Sequence, residues 1–385
     1  MDVFTVRERT DRSPCRADET SFDFLDRTGS QFFSPVRDLV HRWVNALPVD
    51  DQPGVIGNLS KGDNHSFESA FWELYLHQLV KGSGFDVDIH PEVPGSTKHP
   101  DFLVRAPQPF YLEAVSVGTN RERVRSDRRL HDVEAVLDKT RVDGWTLSFN
   151  WERIGLQPLK ATRLRDELLA WLGTLDHPAE GDDALTQGFV PPSYSFDHEG
   201  WSLEFKALPV RSNQAPLVAI RGAGRAVGVD NKTGLRRVLD AKTRRYGDDL
   251  PCPLVTAVLS NTEFPTRLYE VQPTLYGQHW LGPARVTDSA ELSSDGHWRT
   301  KRGWRRSHNP YVVVGCNINL YNLHLKEPWL WRTLDPSVRL DLDIPWAAAV
   351  DVEVAEPDPP TADPSLSALG ITDAWCAGEP DFEVR

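Results

Sequence analysis

Apolar residues recur at helical spacing at Val36, Leu39, Val40, Trp43 and Leu47, between Ser34-Pro35 and Pro48. Proline suits a first helical turn, where its missing N–H would lack a partner anyway. The stretch therefore predicts a short amphipathic helix capped by Ser34. FESAFWELYLHQLVKG predicts a longer helix, capped by Ser66 and closed by Gly82 and Gly84. Phe85, Val87 and Ile89 then alternate with Asp86, Asp88 and His90, the period of a half-buried strand. DFLVR and FYLEAVSV predict two more strands, and the APQP between them suits a hairpin loop.

Beyond the hairpin, RRLHDVEAVLDKTR predicts a helix, GWTLSFNW a strand, and Leu164 to Leu172 a helix ending at Gly173. WSLEFKALPV alternates as a strand, a helix starts at Thr233 or Gly234 and runs through LRRVLDAKTRRYG, and PLVTAVL predicts a buried strand. YVVVGCNINL at 311–320 is β-rich. Residues 1–33 look like a loose polar arm, and DHPAEGDDALTQG like a linker between sub-regions. The proline-rich, acidic tail from Glu356 is expected to be extended or disordered. The alternation of helices and strands predicts an α/β fold with a mixed β-sheet core flanked by helices. Its expected divisions are an arm and short helix over 1–50, a core over 51–150, a continuation of the sheet with an accessory α/β and β-rich region over 151–350, and a tail over 351–385.

Composition adds exclusions. Hydrophobic residues make up 39% and charged residues 26% of the 385, ordinary for a globular protein. No apolar run approaches the ~20 residues that span a bilayer, and the N-terminus lacks a signal-peptide centre. A cytoplasmic protein with no membrane partner is expected. Cys15, Cys252, Cys316 and Cys376 are scattered, without the paired spacing of a zinc site. A net charge of −13 argues against a protein that coats DNA indiscriminately. It leaves room for a local basic cleft, because cations cluster at Arg121, Arg123, Arg125, Arg128 and Arg129, again from Arg236 to Arg245, and again from Arg299 to Arg306.

The candidate chemistry lies in the predicted hairpin. Asp101 opens its first strand and Glu113 lies inside its second, where an unpaired charge among apolar neighbours would be costly. Across a hairpin the two carboxylates can share a face, and magnesium needs only two or three protein oxygens. A plain alternative is a solvent-facing Glu113 and an Asp101 that merely begins a strand.

The order of parts, ELYLHQLVKGSGFDVDIHPEVPGSTKHPDFLV followed by YLEAV, resembles the PD-(D/E)xK, restriction-endonuclease-like nuclease superfamily, strongly over residues 66–120. Farther on, K-x-x-x-Y-G before PLVTAV resembles an uncharacterised bacterial branch of it. The resemblance implies a nuclease core over 51–150, with Mg²⁺ or Mn²⁺ held by Asp101, Glu113 and the Ala114 carbonyl. Glu73 would assist from the preceding helix, with Glu68 as the fallback. The family's lysine would fall at position 115, where this chain has Val115. Lys242 is the candidate replacement, with Tyr246 one helical turn later; a solvated lysine on a basic helix is the alternative.

Other features carry less. Asp197, Glu204 and Lys206 in FDHEGWSLEFKA also match the motif literally, after a helix bearing Glu167. Asp197 there reads as a turn residue, although Lys206 could still serve the first site. RTKRGWRR, with Trp304, suits phosphates and base stacking or else a solvated loop. RGAGRAVG fails the spacing of a phosphate loop, and His90 and His99 flank the loop before Asp101. Thirteen tryptophans are explained first by packing.

The expected function is therefore metal-dependent endonuclease cleavage of DNA, in a defence or restriction setting by analogy alone. Arg121, Arg123, Arg245, Arg302 and Tyr246 would contact DNA, and a homodimer or partner protein would allow both strands to be cut. The rival is a nuclease-like fold that no longer cuts and binds nucleic acid or a partner.

Overall fold

A computed structural model describes residues 1–16, 19–117, 129–130, 132–137, 139–140, 142, 144–176, 190–209, 220–221, 231–246, 250–262, 266–277, 296–350, 364–371, 375–376 and 380–382. The chain divides into two compact units. The first comprises Met1–Pro14, Thr20–Gly118 and Asp230–Arg385; the second comprises Thr119–Val229 with Cys15–Glu19. The structure thus draws its main boundary inside the expected core and inside the expected continuation. Residues 177–188 of the predicted linker lie outside the described residues.

The first unit begins with α1 (Ser21–Arg27), α2 (Ser34–Asn45), α3 (Gln52–Leu59) and α4 (Asn64–Gly82). Its N-terminal stretch is no loose arm. Val3, Phe24, Leu25 and Phe33 are buried in the main core, and Phe24 meets Phe33 edge-on with centroids 4.9 Å apart. Their irregular spacing gives no period to read. Helix α4 starts two residues before the expected Ser66 cap, because Asp63 accepts from the Ser66 N–H at 2.8 Å.

Three antiparallel strands follow: β1 (Asp86–Ile89), β2 (Phe102–Arg105) and β3 (Phe110–Ser116). In β3, Phe110, Leu112 and Ala114 enter the main core beneath α4. Tyr111, Glu113 and Val115 therefore point to the opposite face.

The second unit then intervenes, with β4 (Trp145–Arg153), α5 (Ala161–Leu172), β5 (Ser193–His198), β6 (Trp201–Pro209) and β7 (Ile220–Arg221). These strands form their own sheet in the order β5-β6-β4-β7. Its core is Trp145, Leu147, Phe149, Phe196, Leu203 and Phe205 against Leu164, Leu168 and Leu172 of α5. Alternation in β4 shows a half-buried strand but not which sheet it joins, so the sequence reading assigned it to the nuclease core.

The chain returns to the first unit with α6 (Asn231–Thr243), β8 (Leu254–Ser260) and α7 (Leu268–Tyr276). The short β9 (Arg299–Thr300) and β10 (Gly303–Trp304) pair with each other. The last elements are β11 (Tyr311–Cys316), β12 (Trp329–Arg332), β13 (Ala348–Ala349) and α8 (Pro364–Leu369).

The main sheet runs β1-β2-β3-β8-β11-β12-β13, with β8 parallel to both β3 and β11. Strand β8 is buried throughout, as a parallel strand covered on both faces must be. Trp72 of α4 donates to the Ala257 carbonyl at 3.0 Å, and its ring lies where a Cβ on Gly315 would come within 2.7 Å. On the other face, Leu235 and Leu239 of α6 and Val271 and Leu275 of α7 cover Val258, Val312 and Val314. The result is a mixed α/β protein.

Residues 356–363 of the expected tail lie outside the described residues. Beyond them the chain is no tail: Leu366, Ala368, Leu369, Ile371 and Trp375 join the main core. A Cβ on Gly82 would meet the Ala368 carbonyl at 2.1 Å, so glycine there admits α8 against α4. Among the described residues no helix is long and apolar enough to cross a membrane.

Candidate active site

Antiparallel pairing sets Phe102 opposite Leu112, so Asp101 sits one step past the last pair, beside Glu113. Here β2 begins, while β3 runs on past it to Ser116. In β3 the Val117 N–H points to β8, bonding the Leu259 carbonyl at 2.7 Å, so the Ala114 N–H faces the other way. Asp101 Oδ2 accepts that N–H at 2.7 Å. The Ala114 carbonyl faces the same edge, since both backbone groups of a strand residue point to one side. Asp101 Oδ1 takes no hydrogen bond from any described residue.

Glu113 is wholly buried, at 0% exposure. Its charge is met from the end of α6. Lys242 donates to Oε1 at 2.5 Å, and Arg245 Nη1 reaches the same oxygen at 3.3 Å. The Tyr246 hydroxyl donates to Oε2 at 2.6 Å and also lies 3.0 Å from the His99 carbonyl. One turn at the close of α6 therefore supplies all three groups, because residues three and four apart share a helix face. Burial, and then donation to the Glu113 carboxylate, hold the Tyr246 hydroxyl protonated far above its ordinary pKa. Arg245 also lies over the Tyr246 ring, 5.6 Å from its centroid.

Two further carboxyls feel this cluster. Burial pushes Asp101 up to about 7; repulsion from Glu113 adds to the rise, Lys242 opposes it and Glu73 adds again. Glu73, on α4, is also raised, by burial first, with Lys242 opposing and Glu113 adding. Glu68, one and a half turns earlier on α4, is raised to about 7 by burial alone. Asp101, Glu113 and Glu73 thus crowd negative charge into a poorly solvated place. Among the described residues no three His, Cys, Asp or Glu side chains converge tightly enough to hold a metal unaided.

A buried polar network anchors α6 behind Lys242. Asp240 meets Arg306 Nη1 at 2.5 Å and His297 Nδ1 at 3.2 Å. Asn309 Oδ1 lies 2.9 Å from His297 Nε2 and accepts from the Thr243 hydroxyl at 3.3 Å, while Asn309 Nδ2 donates to the Leu254 carbonyl at 2.8 Å. These bonds tie the helix on both sides of position 242 to the strand beside β3. Although Asp240 is partly buried, hydrogen bonds from His297 and Arg306 hold its pKa well below the carboxylate range.

The other expected contacts fare differently. Arg245 and Tyr246 both engage Glu113, and Arg245 stays 40% exposed. Arg302 is exposed on the β9–β10 turn. Arg305 donates to the Gly296 and His297 carbonyls, and Arg299 stacks on Trp304 at 5.4 Å, so much of RTKRGWRR holds its own loop together. Arg121 and Arg123 lie outside the described residues, as does RGAGRAVG beyond Arg221. His99 Nδ1 lies 3.2 Å from the Pro91 carbonyl.

The second motif lies in the other unit. Asp197 is a strand residue paired with Ser202, not part of the turn; Glu199 and Gly200, with φ of 46° and 86°, make the two-residue turn alone. Glu204 stands opposite Ser195 and Asn150, and Lys206 opposite Ser193 and Ser148. Glu204 and Asp197 are exposed. Glu167 accepts from the Tyr194 hydroxyl at 2.8 Å and from Arg163 at 2.7 Å.

A cavity of about 210 Å³ beside Glu73 went unread in the sequence. Its lining includes His77, His90, Asp50 and Asp51. The only signal was Glu73-x-x-x-His77, two polar residues on one face of an apolar helix. Searches of protein-family models, curated proteins and solved structures each give no match for this chain.

Proposed function

We propose that this protein is a magnesium-dependent endonuclease of the PD-(D/E)xK type acting on DNA. The observation that carries the reading is the contact of the Lys242 ammonium with Glu113 Oε1 at 2.5 Å. It brings a cation to the carboxylate cluster where Val115 offers none. The sequence of parts supports it too: a helix bearing Glu73, three antiparallel strands bearing Asp101 and Glu113, and a second helix leading to a parallel strand.

The donor set suits magnesium. It consists of hard oxygens only, and the raised Asp101 and Glu73 carboxyls mark a place short of positive charge. Magnesium keeps several waters and uses one or two carboxylates, so three converging side chains are not required. Asp101, Glu113 and the Ala114 carbonyl would hold the ion, and Glu73 would reach it through water. Bound there, the ion supplies charge that polarises a phosphate and acidifies a water.

The protein's own groups do the rest. Asp101 Oδ1 is the open oxygen, whereas Glu113 shares Oε1 with Lys242 and Arg245. Lys242, fixed by the Asp240 network, would stabilise charge developing on the phosphate oxygens. Arg245, 40% exposed, is the cation best placed to meet the phosphate from solvent.

The test is plasmid DNA incubated with the purified protein and Mg²⁺ or Mn²⁺, beside Asp101→Ala and Glu113→Gln. Nicked or linear product from the wild type alone is the expected result. DNA retained but uncut with either metal would instead support the binding-module reading, which Val115 and the full ion pairing of Glu113 favour.

A further inference from the structure

The cavity beside Glu73 lies wholly within the first unit, between the α2–α3 connection, α3, α4, the end of β1 and the start of β2. At about 210 Å³ it falls below the roughly 300–1,000 Å³ of sites for drug-sized ligands, so it has room for one or two fused rings. Its walls are aliphatic apart from the Phe102 ring, which provides a flat apolar surface. Its polar lining is dominated by carboxylates and imidazoles, Asp50, Asp51, Glu73 and His77 among them, with the Asn58 amide and no Lys or Arg among the described residues. Such a lining repels phosphate and favours a ligand that donates N–H groups.

His77 points independently to a ligand. It is 4% exposed, lines the cavity, and makes no hydrogen bond with any described residue. A buried polar group normally finds a partner, so an unbonded imidazole on a cavity wall marks where one is supplied from outside. Glu73 likewise makes no hydrogen bond with a described residue, and its carboxyl feels both Glu113 and Lys242. It therefore belongs both to the cavity and to the carboxylate cluster. Phe102 directly follows Asp101 in the chain.

We propose that this cavity receives an unstacked nucleobase bearing an exocyclic amino group, adenine, cytosine or guanine, from a strand whose phosphate lies at the Asp101–Glu113 cluster. The proposal rests on the nucleic-acid reading of that cluster. The amino group would donate to the carboxylates, the ring would pack on Phe102, and His77 would meet a ring nitrogen or carbonyl. Thymine fits less well, because its one edge donor, N3–H, is flanked by two carbonyl oxygens that the carboxylates would repel. Flat apolar contact combined with edge hydrogen bonds is the general means by which proteins read unstacked bases.

The test uses the full chain in metal-free buffer, so that neither cutting nor a bound ion is needed. Ligand-observed NMR would titrate deoxyadenosine, deoxycytidine, deoxyguanosine and thymidine, and a parallel arm would use ten-nucleotide oligo-dA, oligo-dC and oligo-dT. Gly54→Phe projects a ring from α3 into open space at the cavity wall, since a Cβ there meets nothing within 4 Å. Gly57→Phe, equally open but outside the cavity lining, is the control.

Amino-bearing ligands are expected to bind at least about tenfold tighter than thymine ligands. Gly54→Phe and His77→Phe should each erase that preference while Gly57→Phe keeps it. Preference in the oligonucleotides alone identifies a base within a strand as the ligand; preference only among free nucleosides overturns that part of the proposal. No discrimination in either arm, or discrimination that survives Gly54→Phe, overturns all of it. A wild type that discriminates bases yet never cuts plasmid sinks the nuclease reading and leaves the cavity assignment standing.

Discussion

Two hairpins in this chain carry nearly the same letters in different surroundings. On the β2–β3 hairpin, Glu113 is wholly buried and meets Lys242, Arg245 and Tyr246, while the neighbouring Asp101 caps a backbone N–H. On the β5–β6 hairpin, Glu204 and Asp197 are exposed and their cross-strand neighbours are Ser195, Asn150 and Ser202. The second match is the more literal, because it includes the lysine. A spacing fixes only which side chains share a face; burial decides whether their charges must be answered by other groups.

The largest test of this contrast is catalytic. Asp101→Ala should lower plasmid cutting in Mg²⁺ by about 10³-fold, the scale for losing a group that stabilises charge in the reaction. Glu204→Ala and Lys206→Ala should stay within about twofold, since Glu204 is exposed and the half-buried Lys206 faces only Ser193 and Ser148 across its strand. Cutting lost through Lys206→Ala would reverse the ranking of the two hairpins.

Stability should separate the two lysines next. Lys242→Met strands the Glu113 charge and should cost about 2–3 kcal/mol in urea unfolding. That is less than the roughly 3–5 kcal/mol of a fully broken buried pair, because Arg245 and Tyr246 remain. Lys206→Met should cost under about 0.5 kcal/mol. Asp240→Asn weakens the anchor of α6 and should cost about 1–2 kcal/mol, with a larger fractional loss in kcat than in KM if Lys242 shifts.

The smallest expected effect is on pH dependence. Asp101 and Glu68 are raised to about 7, so each keeps its proton in the folded state over a range where the unfolded chain has released it. Their contribution is full below about pH 4 and is lost as pH rises toward 7. In the second unit, Glu167 and Glu199 are shifted downward, by hydrogen bonds from Tyr194 and Lys160 respectively, and contribute in the opposite sense. Urea midpoints between pH 4 and 8 should show the downward contribution shrink in Asp101→Asn with Glu68→Gln. An unchanged profile in that double variant would mean these carboxyls are better solvated than their burial implies.

Much of this was legible in advance. A glutamate inside FYLEAV already demanded a partner, and the proline-bearing connection before it already read as a hairpin. Lys242 and Tyr246 could be named because helical spacing puts them on one face. Their meeting with Glu113 could not be read, because it depends on how the chain returns after the whole second unit. That Arg245 would also reach Glu113 could not be read, because a basic run looks the same whether it faces solvent, a buried acid or both. The Asp240–His297–Asn309 network was hidden because its members are polar residues with no shared period. The cavity was hidden because its walls come from four separate segments.

The Lys242–Glu113 pair joins residues 129 positions apart. On a ribosome adding about 5–20 residues per second, Lys242 is synthesised roughly 6–26 s after Glu113. Throughout that interval the hairpin exists without its counter-charge, so the carboxylates cannot yet be sealed into a dry interior. Co-translational burial of this site must therefore wait for α6, and the second unit acts as the delay.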